Sequence, residues 1–222
     1  MSFFETKKTF EIELTYKCNW NCKYCAVKTH TKKSFTNEQV LENFRLKTNN
    51  FRDIIQSTVI LSGGEPTLVG KNVLDVYIKL SKQYNFDLKI NTNGMLFKEE
   101  PIIKEFKQIN WHVSDELIMT KHIQTILKFL PKNVLPLIVV SDSNFKNLQS
   151  FMKQWPKDIK ILLIPASDPE GKINYFDEDK YQYLHVYKKQ VTKDSWLLIL
   201  SKNQLYKERE KSITYIENYK KD

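Results

Sequence analysis

In Phe10-Glu-Ile-Glu-Leu-Thr-Tyr-Lys-Cys-Asn-Trp-Asn-Cys-Lys-Tyr-Cys25 a strand runs straight into a metal-binding pattern. Up to Tyr16 apolar and polar side chains alternate, the period-two mark of a strand with one buried face. The stretch then delivers Cys18, Cys22 and Cys25, the three cysteines of the 222-residue chain, within eight positions. An odd number so tightly spaced is no disulfide framework. Thiolates converging from one short loop suit a soft metal centre. Zinc asks for a fourth ligand, which His30 would supply in a Cys3His site. An iron–sulfur cube normally takes four thiolates, so three leave one iron open. An open coordination position is what separates a catalytic metal from a structural one.

Outward from this stretch the same strand-then-loop arrangement repeats. Ser57-Thr-Val-Ile-Leu61 reads as a second strand and leads into Ser62-Gly63-Gly64-Glu65-Pro66-Thr67. The glycine pair lets backbone approach a ligand closely, Glu65 can accept from an ammonium, and Pro66 fixes the turn; alone, the tetrapeptide also reads as a plain tight turn. Thr36-Asn-Glu-Gln39 is a capping box opening a helix with Val40, Leu41 and Phe44 inward. Val73, Val76, Tyr77, Leu80 and Tyr84 recur at helical spacing. Further strands are expected over 86–91, 109–113, 134–140 and 159–164. Between them come a short helix over 102–106, a helix carrying Ile123, Ile126, Leu127 and Leu130, and one lined by Phe145, Leu148, Phe151, Met152 and Trp155. Beyond Pro165 lie a helix around 179–191, an apolar run Trp196-Leu-Leu-Ile-Leu200 and a lysine-rich C-terminal helix.

No Pro/Gly-rich linker or repeat divides the chain, so a single domain over residues 1–222 is expected. Its parts are a cysteine loop at 17–33, a core at about 10–165 and a C-terminal extension from about 166 to 222. Alternating strands and helices imply parallel strands joined by right-handed crossovers. The fold class expected is α/β: a partial (β/α)6 TIM-like barrel with a C-terminal strand/helix extension. Ligand sites in such architectures gather at the C-terminal ends of the strands, where all of these motif residues fall.

The cysteine spacing resembles that of the radical S-adenosylmethionine (SAM) enzymes, whose Cys-x3-Cys-x2-Cys hallmark carries an aromatic before the last cysteine, matched by Tyr24. The Gly63-Gly64-Glu65-Pro66 segment is similar to the one with which that family binds the SAM amino group. The resemblance implies a [4Fe-4S] cluster on Cys18, Cys22 and Cys25, with SAM chelating the open iron. It implies reductive cleavage of SAM to methionine and a 5′-deoxyadenosyl radical, which abstracts hydrogen from a small-molecule, nucleotide or peptide substrate. The partial barrel is also that family's core fold. With no cysteine left for an auxiliary cluster, the larger peptide-maturing and sulfur-inserting branches are disfavoured.

A weaker likeness is to the 7-carboxy-7-deazaguanine synthases: Trp111-His-Val-Ser114, Ile164-Pro-Ala-Ser-Asp168, and Trp196 followed by Gln204 and Lys207. That family's N-terminal Gln-Gly-Glu-Gly segment is missing, and Ala26-Val27 replaces its Asp-Thr. A glycyl-radical activase and a non-catalytic zinc or nucleic-acid-binding module are the other readings.

Remaining candidates are each double-edged. Asn91 and Asn93 follow the third strand and would bind ribose hydroxyls or substrate, or simply form an Asn-Gly turn. Ser114 after the fourth strand and Ser141 after the fifth would meet SAM or cap a helix. Ile164 with Pro165 would pack against adenine or the core. Trp20 inside the cysteine loop would shield the iron, and His30 doubles as a solvated loop histidine.

The formal net charge is +9, but only Arg45, Arg52 and Arg209 are arginines among 35 basic residues. Lysine is a hydrated point charge poorly suited to forked phosphate recognition, so nucleic acid is only weakly favoured as a partner. Lysines 17, 23, 28, 32 and 33, with no acidic residue from 14 to 37, make the cysteine loop basic. That patch would meet an anionic substrate or a reductant such as flavodoxin or ferredoxin, or remain a solvated loop. The longest apolar run, residues 134–140 with Pro136 inside it, is far below the ~20 residues of a membrane span. A cytoplasmic protein with no membrane partner is therefore the expectation.

Overall fold

The structure is a computed structural model that describes residues 8–22, 25, 36–96, 101–114, 122–140, 161–165, 197–199 and 213–216. The strands are β1 (Thr9–Thr15), β2 (Thr58–Gly63), β3 (Asp87–Thr92), β4 (Gln108–Val113), β5 (Val134–Val140), β6 (Ile161–Pro165), β7 (Leu197–Ile199) and β8 (Ile213–Ile216). The helices are α1 (Asn37–Lys47), α2 (Lys71–Tyr84) and α3 (His122–Lys128), with 3-10 turns at Arg52–Ile54, Pro66–Val69 and Pro101–Glu105. All strands join one parallel sheet in the order β7-β6-β5-β4-β3-β2-β1-β8.

From β1 to β6 spatial order follows chain order. Every crossover therefore steps the same way and no switch point reverses the sheet, which separates a barrel-type winding from a doubly wound sheet. Among the described residues the sheet ends in β7 and β8 without closing, an α/β partial barrel as expected.

Register explains the sheet's two faces. Ile12, Leu61, Ile90 and Ile109 stand side by side on β1 to β4, each fully buried, and join Val40, Phe44, Leu74, Tyr77 and Ile78 of the helices in one core. One residue earlier, on the opposite face, the row reads Glu11, Ile60, Lys89 and Gln108; one residue later come Glu13 beside Ser62 and Asn91 beside Asn110. The inner face of a closed barrel is normally filled by bulky apolar side chains. Here the face turned away from α1 and α2 is largely polar.

Thr36 caps α1 with the full capping box read from sequence: its hydroxyl accepts from Gln39 N, and its own N–H donates to the Gln39 side chain. In α2 the buried stripe is Leu74, Tyr77 and Ile78, with Val73, Leu80 and Tyr84 on its flanks, whereas Val76, expected inward, is exposed. At 100° per residue Val76 is rotated off the stripe centred on Tyr77. The 102–106 segment is a 3-10 turn whose Ile102, Ile103 and Phe106 are buried. The C-terminal segment read as a lysine-rich helix holds a strand at Ile213–Ile216, parallel to β1, with Ile213 beside Thr9. Ile-Thr-Tyr-Ile is β-branched and aromatic, a composition that favours a half-buried strand.

Among the described residues no helix is long and apolar enough to cross a membrane. Tyr24, His30, Ser141, lysines 23, 28, 32 and 33, and the helices read over 145–155 and 179–191 lie outside the described residues.

Candidate active site

Because the strands are parallel, the ends of β1, β2, β3 and β4 open on one edge. There the cysteine loop and the glycine turn are stitched together by main chain. Gly64 N–H donates to Thr15 O (2.5 Å), and Glu65 N–H donates to Lys17 O (2.8 Å). The pairing of β1 with β2 slips between Glu13 and Thr15, which brings Thr15 opposite Gly63. Only glycines fit this approach. A Cβ on Gly63 (φ +114°) would press into Thr15 O; one on Gly64 would lie 2.7 Å from Lys17 C and 2.8 Å from Tyr16 C, and closer still to Lys17 O. Lys17 immediately precedes Cys18, so the turn sets where the first thiol stands.

Cys18 is exposed, Cys22 and Cys25 are half-buried, and Cys25 N–H donates to Cys22 O (3.4 Å). Two donors face the Cys18 sulfur: Trp20 N–H at 3.3 Å and Asn93 Nδ2 at 3.8 Å. Partial desolvation pushes the Cys18 thiol up; the Trp20 N–H opposes that, the charges of Glu65 and Cys25 add to it, and the Asn93 amide again opposes. A pocket of about 390 Å³ opens against Cys18, Asn19, Trp20 and Asn21, within the range of small-ligand sites.

Glu65 is 1% exposed and sits at the centre of this edge. Its Oε1 accepts from Thr67 N (3.1 Å), Thr67 Oγ1 (2.6 Å) and Thr92 Oγ1 (2.7 Å), and its Oε2 from Asn93 N (2.7 Å). Burial pushes its carboxyl pKa up while these donors pull it back. Glu65 is also the N-cap of the Pro66–Val69 turn, with Pro66 in the first turn where its missing N–H costs nothing. The carboxylate read as an acceptor for an ammonium is thus already engaged: Oε1 is filled, and Oε2 keeps room for one more donor.

Asn93 links three elements. Besides donating to Glu65 and facing Cys18, its Nδ2 donates to Asn19 Oδ1 (2.7 Å), its Oδ1 accepts from Met95 N (3.0 Å), and its carbonyl accepts from Trp111 Nε1 (2.9 Å). Buried Ser114 accepts from Trp20 Nε1 (2.8 Å), tying the cysteine loop to the end of β4. Asn91 stands apart from these contacts: its Oδ1 accepts from Asn110 Nδ2 (2.8 Å), and Asn110 Oδ1 accepts from Gln108 Nε2 (2.7 Å). Ile164 lies on β6 beside Val139 of β5. Neither Thr92 nor Asn19 is marked as a site residue by any sequence pattern. Thr92 sits directly before Asn93, but nothing in the string says that its hydroxyl turns toward a carboxylate 27 positions away.

These residues fit a cluster with an added organic ligand. The thiols come from one loop, peptide and amide donors face one sulfur, and a close-packed glycine turn lies alongside. The chemistry of that donor set is the soft, thiolate one that iron–sulfur clusters use.

Residues 12–115 match the radical SAM superfamily. The chain is 35% identical over 86 residues to a glycyl-radical enzyme activating enzyme of Methanocaldococcus jannaschii, 39% of this chain and 32% of that protein. It is 34% identical over 90 residues to the GTP 3′,8-cyclase of Desulforamulus reducens, 40% of this chain and 27% of that protein. It is 26% identical over 165 residues to the 7-carboxy-7-deazaguanine synthase of Haemophilus influenzae, 72% of this chain and 67% of that protein. The chain thus spans about a third of the length of the first of these relatives, or less. In fold it is similar to AdoMet-bound anSMEcpe, with TM-score 0.64 and 20% identity over 87% of this chain and 63% of that one. Streptococcus suis SuiB bound to S-adenosylmethionine gives TM-score 0.56 and 15% identity over 88% of this chain and 51% of that one.

Proposed function

From the radical SAM domain at residues 12–115, we propose that this chain is an enzyme that cleaves SAM reductively and abstracts hydrogen from a polar substrate. Radical SAM domains use a [4Fe-4S] cluster and SAM, and together these supply a 5′-deoxyadenosyl radical when an external reductant such as flavodoxin or ferredoxin provides the electron. Cys18, Cys22 and Cys25 would hold the cluster, with Tyr24 beside the last of them. Gly63, Gly64, Glu65 and Pro66 would form the wall against which the amino acid portion of SAM lies. Ser114 would act through Trp20, to which it is bonded. Asn91, Asn93, Ser141 and Ile164 complete the set of proposed cofactor-binding positions.

One observation carries this reading. Two main-chain hydrogen bonds, from Gly64 to Thr15 and from Glu65 to Lys17, join the glycine turn to the start of the cysteine loop across nearly fifty residues of sequence. That junction sets the first thiol beside the Gly63-Gly64-Glu65-Pro66 turn, as a cluster whose open corner is completed by a nucleotide would require.

The substrate's polarity follows from the sheet face turned away from the helices. Glu13, Asn91, Asn110 and His112 lie there toward the C-terminal strand ends, on the same edge as the cysteine loop. With the bonded Asn91–Asn110 pair at its centre, this face suits a polar rather than an apolar substrate. Of the narrower reactions, one like that of the 7-carboxy-7-deazaguanine synthases is favoured by the length of alignment, 72% of this chain against 39% for the activating enzyme.

The test is anaerobic reconstitution with iron and sulfide, reduction, addition of SAM and measurement of 5′-deoxyadenosine. The wild type is expected to bind about four irons per chain and to release 5′-deoxyadenosine, whereas Cys18→Ser, Cys22→Ser and Cys25→Ser each fall more than about 100-fold. Protein that holds one zinc and makes no 5′-deoxyadenosine would overturn the reading.

A further inference from the structure

We infer that Asn93 is a positioning residue that separates two anions, the buried Glu65 carboxylate and the Cys18 sulfur, and thereby raises the reduction potential of the cluster. The inference rests on the functional reading above and concerns what one side chain does within it.

Asn93 reaches both anions at once. Its backbone N–H donates to Glu65 Oε2 at 2.7 Å, and its side-chain Nδ2 faces Cys18 Sγ at 3.8 Å. The orientation of that amide is set by chemistry. Met95 N–H can only donate, so the atom 3.0 Å from it is Oδ1, which leaves the NH2 group toward Cys18 and Asn19 Oδ1. The carbonyl, taken by Trp111 Nε1 at 2.9 Å, pins the backbone to β4, and Trp111 itself is fully buried. Both side-chain polar atoms and both backbone polar groups of Asn93 are therefore engaged within the protein.

The negative charge of Glu65 acts on Cys18 in the direction that opposes a thiolate, as like charges repel. Placing a donor against each lowers that repulsion. Reduction adds one more negative charge to the cluster. N–H···S bonds ease it and a nearby carboxylate opposes it, since hydrogen bonds to sulfur and net charge are both levers on cluster potential. Trp20 N–H supplies a second donor to the same sulfur, so loss of the Asn93 side chain should shift the potential without abolishing the site.

The experiment is anaerobic spectroelectrochemistry of the reconstituted full chain, with iron counted for every sample. Asn93→Ala keeps the backbone bonds to Glu65 and Trp111 and removes only the side-chain donor; its potential is expected to be more negative than the wild type's. Asn93→Asp keeps an acceptor for Met95 and sets a carboxylate oxygen toward the sulfur, so it should shift further in the same direction. Asn93→Ser, which retains a shorter donor, should fall between wild type and Asn93→Ala. Glu65→Gln, which removes the opposing charge, should shift the potential the other way. This ordering supports the inference, and a purely structural role would not reverse sign between positions 93 and 65. Full iron loading with unchanged potentials in the Asn93 series overturns it. A wild-type protein that assembles no cluster overturns the functional reading as well, and that failure is visible before any variant is made.

Discussion

Gly64→Ala tests most directly whether the cysteine loop and the glycine turn are one site. The added Cβ would lie within 3.0 Å of Lys17 O, Lys17 C and Tyr16 C, all of them backbone, so no side chain can swing aside. Relief requires displacing the Lys17 peptide, which strains the bonds from Gly64 N–H to Thr15 O and from Glu65 N–H to Lys17 O. Overpacking of this kind costs about 1–3 kcal/mol, and each weakened hydrogen bond costs about 1 kcal/mol. A net penalty of about 3 kcal/mol on the assembled edge corresponds to a population falling on the order of 100-fold. The assay is initial 5′-deoxyadenosine release at fixed cluster loading, with iron per chain measured alongside; a loss of about 100-fold is expected. Gly70→Ala is the matched control. Gly70 also has positive φ (+88°), but a Cβ there meets nothing within 4 Å. That variant should lose about 1–3 kcal/mol of stability through backbone strain alone, since φ +88° with ψ 160° is a conformation almost confined to glycine, and keep SAM cleavage. Gly64→Ala with iron content and 5′-deoxyadenosine release within threefold of wild type would refute the reasoning.

Two further outcomes follow from the same edge. Trp20→Phe and Ser114→Ala each remove the 2.8 Å bond that ties the cysteine loop to the end of β4. Each should speed loss of iron to a chelator about fivefold, the equivalent of about 1 kcal/mol, and the double variant should be no worse than either single one; additive effects would show the two residues act separately. Glu65 has a carboxyl raised by burial, so its contribution to stability is complete below its unfolded pKa of about 4.3 and is lost as pH rises through the higher folded value. Glu65→Gln has no such titration but turns an amide toward the Asn93 N–H. Its melting temperature should lie furthest below wild type near pH 5 and approach it toward pH 8; a gap that widens with pH would contradict the direction of the shift.

Most of the candidate site's ingredients are legible in the string, because a thiol set and a glycine turn are local patterns of residue type and spacing. The spacing of Cys18, Cys22 and Cys25 needs only the loop that holds them, and beside it the Gly63-Gly64 pair permits a close backbone approach. Strand order was equally accessible, since alternation of strands and helices leaves few parallel topologies. What could not be read were facts fixed by pairs of elements. Val76 has the right residue type for the core and the wrong angle. Ile213–Ile216 was obscured by its lysine-rich surroundings, although its own four side chains favour a strand and β1 offers an edge to pair with. Glu65 reads from sequence as an acceptor for an ammonium, a reading that says nothing of its burial. Its bonds from Thr67, Thr92 and Asn93 hold it inward, and the adjacency of β2 and β3 brings the last two within reach.

The same adjacency gives the two motifs a shared mechanical fate. Thr15 and Lys17 accept the bonds from Gly64 and Glu65, Glu65 is held by Thr92 and Asn93, and Asn93 faces Cys18. This is a closed ring running from β1 through β2 and β3 and back to the loop that β1 feeds. In a ring of this kind a change at any one member is felt at the first thiol by two routes. Substitutions at Gly64, Glu65 and Asn93 should therefore combine non-additively in iron retention, whereas each should add independently with a change at Gly70, which lies outside the ring.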